Sequence, residues 1–219
     1  MPLNVISVAA RSAQPQGILV MLHGWGANAQ DVAALATYLD LPDYLFLFPE
    51  APFPHPYSPE GRMWYGLPND YSFFSRPEFR QQPELQKSRS ELMDWLRSLE
   101  QTTRIPLSRT VLGGFSQGGA MTLDIGLQMP VAALLVLSGY LHAPLEVNSA
   151  APIPPVLIVH GRQDAVVPLR AAQQVRESLT QVGAFVEYYE QEMGHEIQPI
   201  VLSRMQSFME EVKVRPNNH

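Results

Sequence analysis

Thr110-Val111-Leu112-Gly113-Gly114-Phe115-Ser116-Gln117-Gly118-Gly119-Ala120-Met121-Thr122-Leu123 is the stretch on which the reading of this chain turns. Thr110–Leu112 has the β-branched, apolar character of a buried strand, and Ala120–Leu123 that of a helix start. A G-x-S-x-G match alone is weak, but a serine on the sharp turn between a strand and a helix is a nucleophile elbow. Gly114 and Gly118 carry no side chains, so the backbone can pass close to the serine there. The N-terminus of the following helix directs free N–H groups at developing negative charge. Ser116 is therefore the candidate nucleophile.

The runs on either side suit such an elbow. Gly17–Leu22, Tyr44–Phe48, Arg109–Phe115, Ala132–Leu137, Pro155–His160 and Phe185–Tyr189 are short and apolar. Most lack strict alternation, as strands buried on both faces do. Val5–Ala9 reads as an added edge strand. Helical patterns lie between them: from an Asn28 cap through Asp40, Pro83–Leu99, Gln117–Gln128, Pro168 at a first turn through Val182 with Gly183 as the stop, and about Ile197 to Val212. This alternation predicts one α/β domain over residues 1–219, with a mostly parallel sheet covered by helices on both faces and no separate cap domain. Residues 49–83 stand apart. They are rich in Pro and in aromatics (Phe53, Tyr57, Trp64, Tyr65, Tyr71, Phe73, Phe74, Phe79), and too long for an ordinary connection. They read either as a wall or lid over the site or as a packed surface excursion. Their exposed aromatics could serve a homodimer interface or a lipid-facing groove.

A serine hydroxyl needs a base to take its proton and a carboxylate to orient that base. Where such an elbow sits on an α/β-hydrolase sheet, the chain order is Ser, acid, His. Of the histidines after Ser116, His142 and His160 precede the best acid and His219 is the terminal residue, which leaves His195 in Met193-Gly194-His195-Glu196. Asp164 follows the buried run Val156–Gly161, at the carboxyl edge where open α/β sheets build their sites. Asp124 points away on the helix after the elbow, Glu146 follows no clear strand, and Glu196, adjacent to the base in a chain whose neighbours usually point apart, ranks below Asp164. An oxyanion hole needs two N–H donors. Gln117, after the nucleophile, supplies one. Trp25, in the glycine-flanked loop His23-Gly24-Trp25-Gly26 after an early strand, supplies the other. His23 reads as a brace for that loop.

The composition narrows the remaining classes. Hydrophobic residues make up 46% and charged residues 16%, and the net charge is −6. With no basic run, neither nucleic acid nor an anionic lipid surface is an expected partner. There is no cysteine, which excludes disulfides, thiolate nucleophiles and Cys-based zinc sites. His-x-His and H-E-x-x-H spacings are missing too, so neither a metal nor a cofactor is expected. No run of about 18 apolar residues suggests membrane insertion, and Met1–Ser7 has no signal-peptide pattern, so a cytoplasmic protein is expected.

His23-Gly24-Trp25-Gly26, Pro49-Glu50-Ala51-Pro52, Trp64-Tyr65, Gly114–Ala120, His160-Gly161 with Asp164 and Val167-Pro168, and Gly194-His195 occur in the order found in one family. The chain resembles the phospholipase/carboxylesterase family, which includes the acyl-protein thioesterases. The resemblance implies a compact α/β-hydrolase with no inserted cap domain, a Ser–His–Asp triad and hydrolysis of short-to-medium acyl esters or thioesters. It also implies oxyanion donation by Trp25 and Gln117, and an acyl groove lined by Trp25, Trp64 and Val166. Three positions depart from the family: Trp25 where Leu is usual, Ala27-Asn28 in the loop that follows, and Gly66 where Asp is usual. Two rival readings remain: a small peptidase or amidase, with Arg62 as the nearest substrate clamp, and a catalytically silent binding protein.

Overall fold

In the computed structural model, which describes residues 3–67, 77–147 and 152–214, seven strands form one sheet. They are β1 (Val5–Val8), β2 (Gly17–Leu22), β3 (Tyr44–Pro49), β6 (Thr110–Phe115), β7 (Ala133–Leu137), β8 (Val156–Gly161) and β9 (Val186–Gln191), with β4 (Phe53–Pro54) and β5 (Arg62–Met63) making a separate hairpin. The order across the sheet is β1-β3-β2-β6-β7-β8-β9. Within this sheet every pairing is parallel except that of β1 with β3. Five helices accompany them: α1 (Ala29–Ala33), α2 (Pro83–Thr103), α3 (Gln117–Gly126), α4 (Leu169–Gln181) and α5 (Pro199–Val214).

The central strands explain the arrangement. In β2 and β7 every residue is buried, so both faces need cover. One face packs Ile18, Val20, Leu112 and Val136 against Leu85, Leu92 and Leu96 of α2 and Val175 and Leu179 of α4. The other packs Leu19, Met21, Leu135 and Val159 against Val32 of α1 and Val201, Met205 and Phe208 of α5. The sheet is the middle layer of three.

The expected strands are all present, within a residue or two at their ends. The helix expected from Asn28 to Asp40 is different. Asn28 does cap it, accepting from Gln30 N and Asp31 N while Asp31 returns a bond to Asn28 N. After Ala33, however, the chain tightens into a 3₁₀ turn over Ala34–Tyr38. Leu35 and Ala36 are only half-buried there, so no apolar contact enforces the wider α-helical turn.

The excursion after β3 is ordered where it is described. Phe53 and Pro54 pair with Met63 and Arg62, and Trp64 and Tyr65 are fully buried. The expected aromatics Tyr71, Phe73 and Phe74 lie outside the described residues, as does His219. Among the described residues, no helix is long and apolar enough to cross a membrane.

Candidate active site

Ser116 sits between β6 and α3 with φ 55° and ψ −116°, backbone angles that a non-glycine residue adopts only under constraint. The constraint is visible on both sides. Ser116 N–H donates to Leu137 O at 2.8 Å, and Ser116 O accepts from Ala120 N at 3.1 Å. A Cβ at Gly114 would lie 2.3 Å from the Gly118 carbonyl, and one at Gly118 would lie 2.2 Å from Leu22 O and 2.7 Å from His23 O. Real side chains do not fit at such separations, so both glycines are required. The same contacts press the end of β2 against the start of α3.

His195 and Asp164 come together from adjacent loops. Gly161, at the end of β8, lets the Met193–Gly194 backbone approach: a Cβ there would lie 2.3 Å from Met193 O. Gln163 N–H donates to Met193 O, and Arg162 N–H to Gln191 O. These bonds set the two loops side by side. Asp164 Oδ2 then accepts from His195 Nδ1 at 2.7 Å. Its other oxygen, Oδ1, accepts from Val166 N and Val167 N at 2.9 and 2.8 Å. His160 Nε2–H donates to Val167 O at 2.8 Å and braces the same turn. The carboxylate is thus fixed from one side and turned toward His195 on the other. The His195 ring packs on Phe115, the neighbour of Ser116, with centroids 4.7 Å apart. Glu196, the weaker acid candidate, is exposed and bonded to Gln198.

The loop after β2 approaches from the opposite side. A Cβ at Gly24 would touch the Cβ of Ser116 at 3.4 Å, so this backbone passes directly beside the nucleophile. His23 is fully buried. Its Nε2 accepts from Ala51 N at 3.1 Å, which leaves the proton on Nδ1, and Nδ1–H donates to Gly24 O at 2.8 Å. Burial holds its pKa below the ordinary histidine value, so the ring stays neutral. His23 is therefore a loop brace, as its position in the sequence suggests. The N–H groups of Trp25 and Gln117 donate to no acceptor among the described residues. The latter is in the first turn of α3, where N–H groups lack helical partners.

The groove residues divide. Trp25 is 37% exposed and Val166 44%, so both present surface beside the site. Trp64 is 0% exposed, with its indole N–H on His23 O at 2.9 Å. Its ring stands behind the His23–Gly26 loop and offers no face to a substrate, a different position from the groove-lining one expected. Sequence reasoning missed His55, whose ring meets that of Trp25 edge-on at 4.1 Å and backs it from the hairpin. The glycines around Trp25 were the available signal: at Gly26, with φ +80°, a Cβ would lie 3.3 Å from His55 Nε2. Arg62 is no free clamp: its Nε and one Nη donate to Ala51 O and Pro52 O. Asp124 is turned away from Ser116, as expected, and meets Arg80, Arg89 and His142. Among the described residues no group of three His, Cys, Asp or Glu could hold a metal ion.

Comparison with known proteins places the chain as a whole. The family model described as phospholipase/carboxylesterase matches residues 3–213. Acyl-protein thioesterase 1 of Saccharomyces cerevisiae is 26% identical over a 233-residue alignment covering 94% of this chain and 97% of that protein. Acyl-protein thioesterase 1 of Neurospora crassa is 34% identical, but the alignment covers 49% of this chain and 47% of that protein. Among solved structures, esterase PE8 is 27% identical with a TM-score of 0.86, covering 97% of this chain and 100% of that one. The acyl-protein thioesterase 2 of Zea mays, at 19% identity and a TM-score of 0.72 over 95% of this chain and 98% of its own, shares the fold. With the family model spanning residues 3–213 and the fold shared along the whole chain, the chain belongs to the phospholipase/carboxylesterase family and is a hydrolase of the α/β-hydrolase fold.

Proposed function

We propose that the protein is a serine esterase or thioesterase that cleaves short-to-medium acyl esters or thioesters through an acyl-enzyme on Ser116. The observation that carries this reading is the 2.7 Å Asp164–His195 bond, set beside a strained serine whose neighbouring ring packs on His195. Ser116 Oγ attacks the acyl carbon while His195 Nε2 takes its proton, and the carbonyl oxygen becomes an oxyanion held by the N–H groups of Trp25 and Gln117. Collapse expels the alcohol or thiol with the proton from His195. Water, deprotonated by the same imidazole, then releases the acid and restores Ser116. Asp164 keeps the proton on His195 Nδ1, so that Nε2 is free to act as base. The exposed sides of Trp25 and Val166 suit an acyl chain entering from solvent. No second reading gains support, since the one candidate peptide clamp, Arg62, is spent on the loop beneath it.

Ser116→Ala should lower hydrolysis of p-nitrophenyl butyrate by about 10⁴-fold or more with the circular dichroism spectrum intact. Unchanged turnover in that variant would refute the assignment. A series of oxygen esters and thioesters of increasing acyl length measures which class is preferred.

A further inference from the structure

The two backbone groups assigned to the oxyanion hole come from segments 92 positions apart in the chain, Trp25 and Gln117. One buried chain of hydrogen bonds connects them. The fully buried Gln117 side chain accepts from Trp64 N at 2.9 Å through Oε1 and donates to Tyr65 O at 2.7 Å through Nε2. The Trp64 indole N–H then reaches across to His23 O at 2.9 Å. The His23 ring, 5.4 Å from that of Trp64, donates from Nδ1 to Gly24 O. Gly24 O and Trp25 N–H belong to one planar trans peptide, in which C=O and N–H point in opposite directions. Pinning the carbonyl with His23 Nδ1–H, and with Ala27 N–H at 3.3 Å, therefore aims the N–H.

We infer that the Gln117–Trp64–His23 bridge sets the spacing and direction of the two oxyanion donors, which makes Trp64, His23 and the Gln117 side chain positioning residues for the reaction. None of the three side chains touches substrate. Their effect falls on the step in which charge appears on the acyl oxygen, because only then does donor alignment matter. The inference rests on the oxyanion hole assigned above. It also gives a fully buried tryptophan with a polar bond at each end a task that a groove-lining residue would not have.

Trp64→Phe removes the indole N–H and keeps an aromatic ring. It should lower kcat for p-nitrophenyl butyrate by about tenfold to a hundredfold, less than the loss of a whole donor, about 10²–10³. KM and the order of preference from acetate to decanoate esters should stay as they are. A trifluoromethyl ketone provides the second readout. Ser116 Oγ adds to its carbonyl carbon, the serine proton passes to His195, and the hemiketal oxygen is left as an oxyanion in the hole. Its inhibition constant should rise by the same factor as kcat falls. Gln117→Met, which loses both side-chain bonds and keeps the backbone N–H, should behave alike, and the double variant should be no worse than the worse single one. In the unmodified protein, the Trp64 indole N–H resonance should shift when the ketone adduct forms, which tests the bridge without any variant. Unchanged kcat in the variants, a changed acyl preference with ketone binding retained, or an indole resonance that ignores the adduct would each overturn the bridge. Ser116→Ala run in parallel separates the cases: if it stays active the esterase reading itself fails, and if it is dead only the bridge is in question.

Discussion

Asp164 shows how much a single carboxylate can be asked to do. One oxygen is committed to two turn N–H groups and the other to His195, so the side chain has a fixed direction. Asp164→Asn would keep the acceptor for the turn and place an amide NH₂ against His195 Nδ1. The imidazole would then carry its proton on Nε2, where it cannot accept one from Ser116. The expected loss in kcat is about 10⁴-fold, with little change in melting temperature. A variant that keeps its activity would show that Asp164 does not set the tautomer. The Asp164–His195 pairing was legible because each member follows a strand end and the chain order leaves few candidates. Trp64 was not legible in this way. An aromatic residue in a proline-rich stretch reads as surface or groove, whereas Trp64 joins the core and its backbone N–H is held by a glutamine 53 positions later in the chain.

At the level of elements, the segment before α2 is fastened by charge. Arg80, in the 3₁₀ turn Pro77–Gln81, pairs with Asp124 of α3 and Glu146 and donates to Pro144 O, while Arg89 of α2 also reaches Asp124. Burial would raise the pKa of the Asp124 carboxyl. His142, Arg89 and Arg80 outweigh it and hold the group below its ordinary value. Asp124→Asn would leave two nearly buried guanidinium groups facing a neutral amide. Breaking such a pair costs about 3–5 kcal/mol, which a shift of the urea midpoint at constant m would measure. An effect below about 1 kcal/mol, as for an exposed pair, would mean that solvent reaches the cluster. Sequence periodicity gave no sign of this knot, because its members come from four separate segments. The same kind of blindness explains the Asn28–Asp40 helix: the cap was local and readable, whereas the change of pitch after Ala33 depends on what Leu35 and Ala36 fail to bury.

For the molecule as a whole, two histidines make stability depend on pH. His23 and His160 are both fully buried, and burial lowers the pKa of each below the ordinary value of 6.5 despite backbone bonds that oppose it. The unfolded chain therefore binds protons that the native state refuses. Stability is fully present above pH 6.5 and falls as the pH drops from there toward the lowered native values. Between pH 7.5 and 5.5 each ring contributes a loss of up to about 1.4 kcal/mol. Urea titrations at the two pH values should show the loss, and His160→Gln, which keeps a donor for Val167 O, should remove its share. A flat profile across that interval would mean that these rings accept protons when folded. The architecture itself was readable because a parallel sheet buried on both faces writes unbroken apolar runs into the chain, and such runs have few places to go.

The sheet does not close on itself. It ends on β9, where Glu187 and Glu190 interrupt Val186, Tyr188 and Tyr189, and every residue of the strand keeps some contact with solvent. A second copy of this strand adding itself to that rim would bring further carboxylates to a strand that already carries two. Like charges on that open edge therefore work against strand-to-strand pairing with another copy, the contact from which fibrils grow.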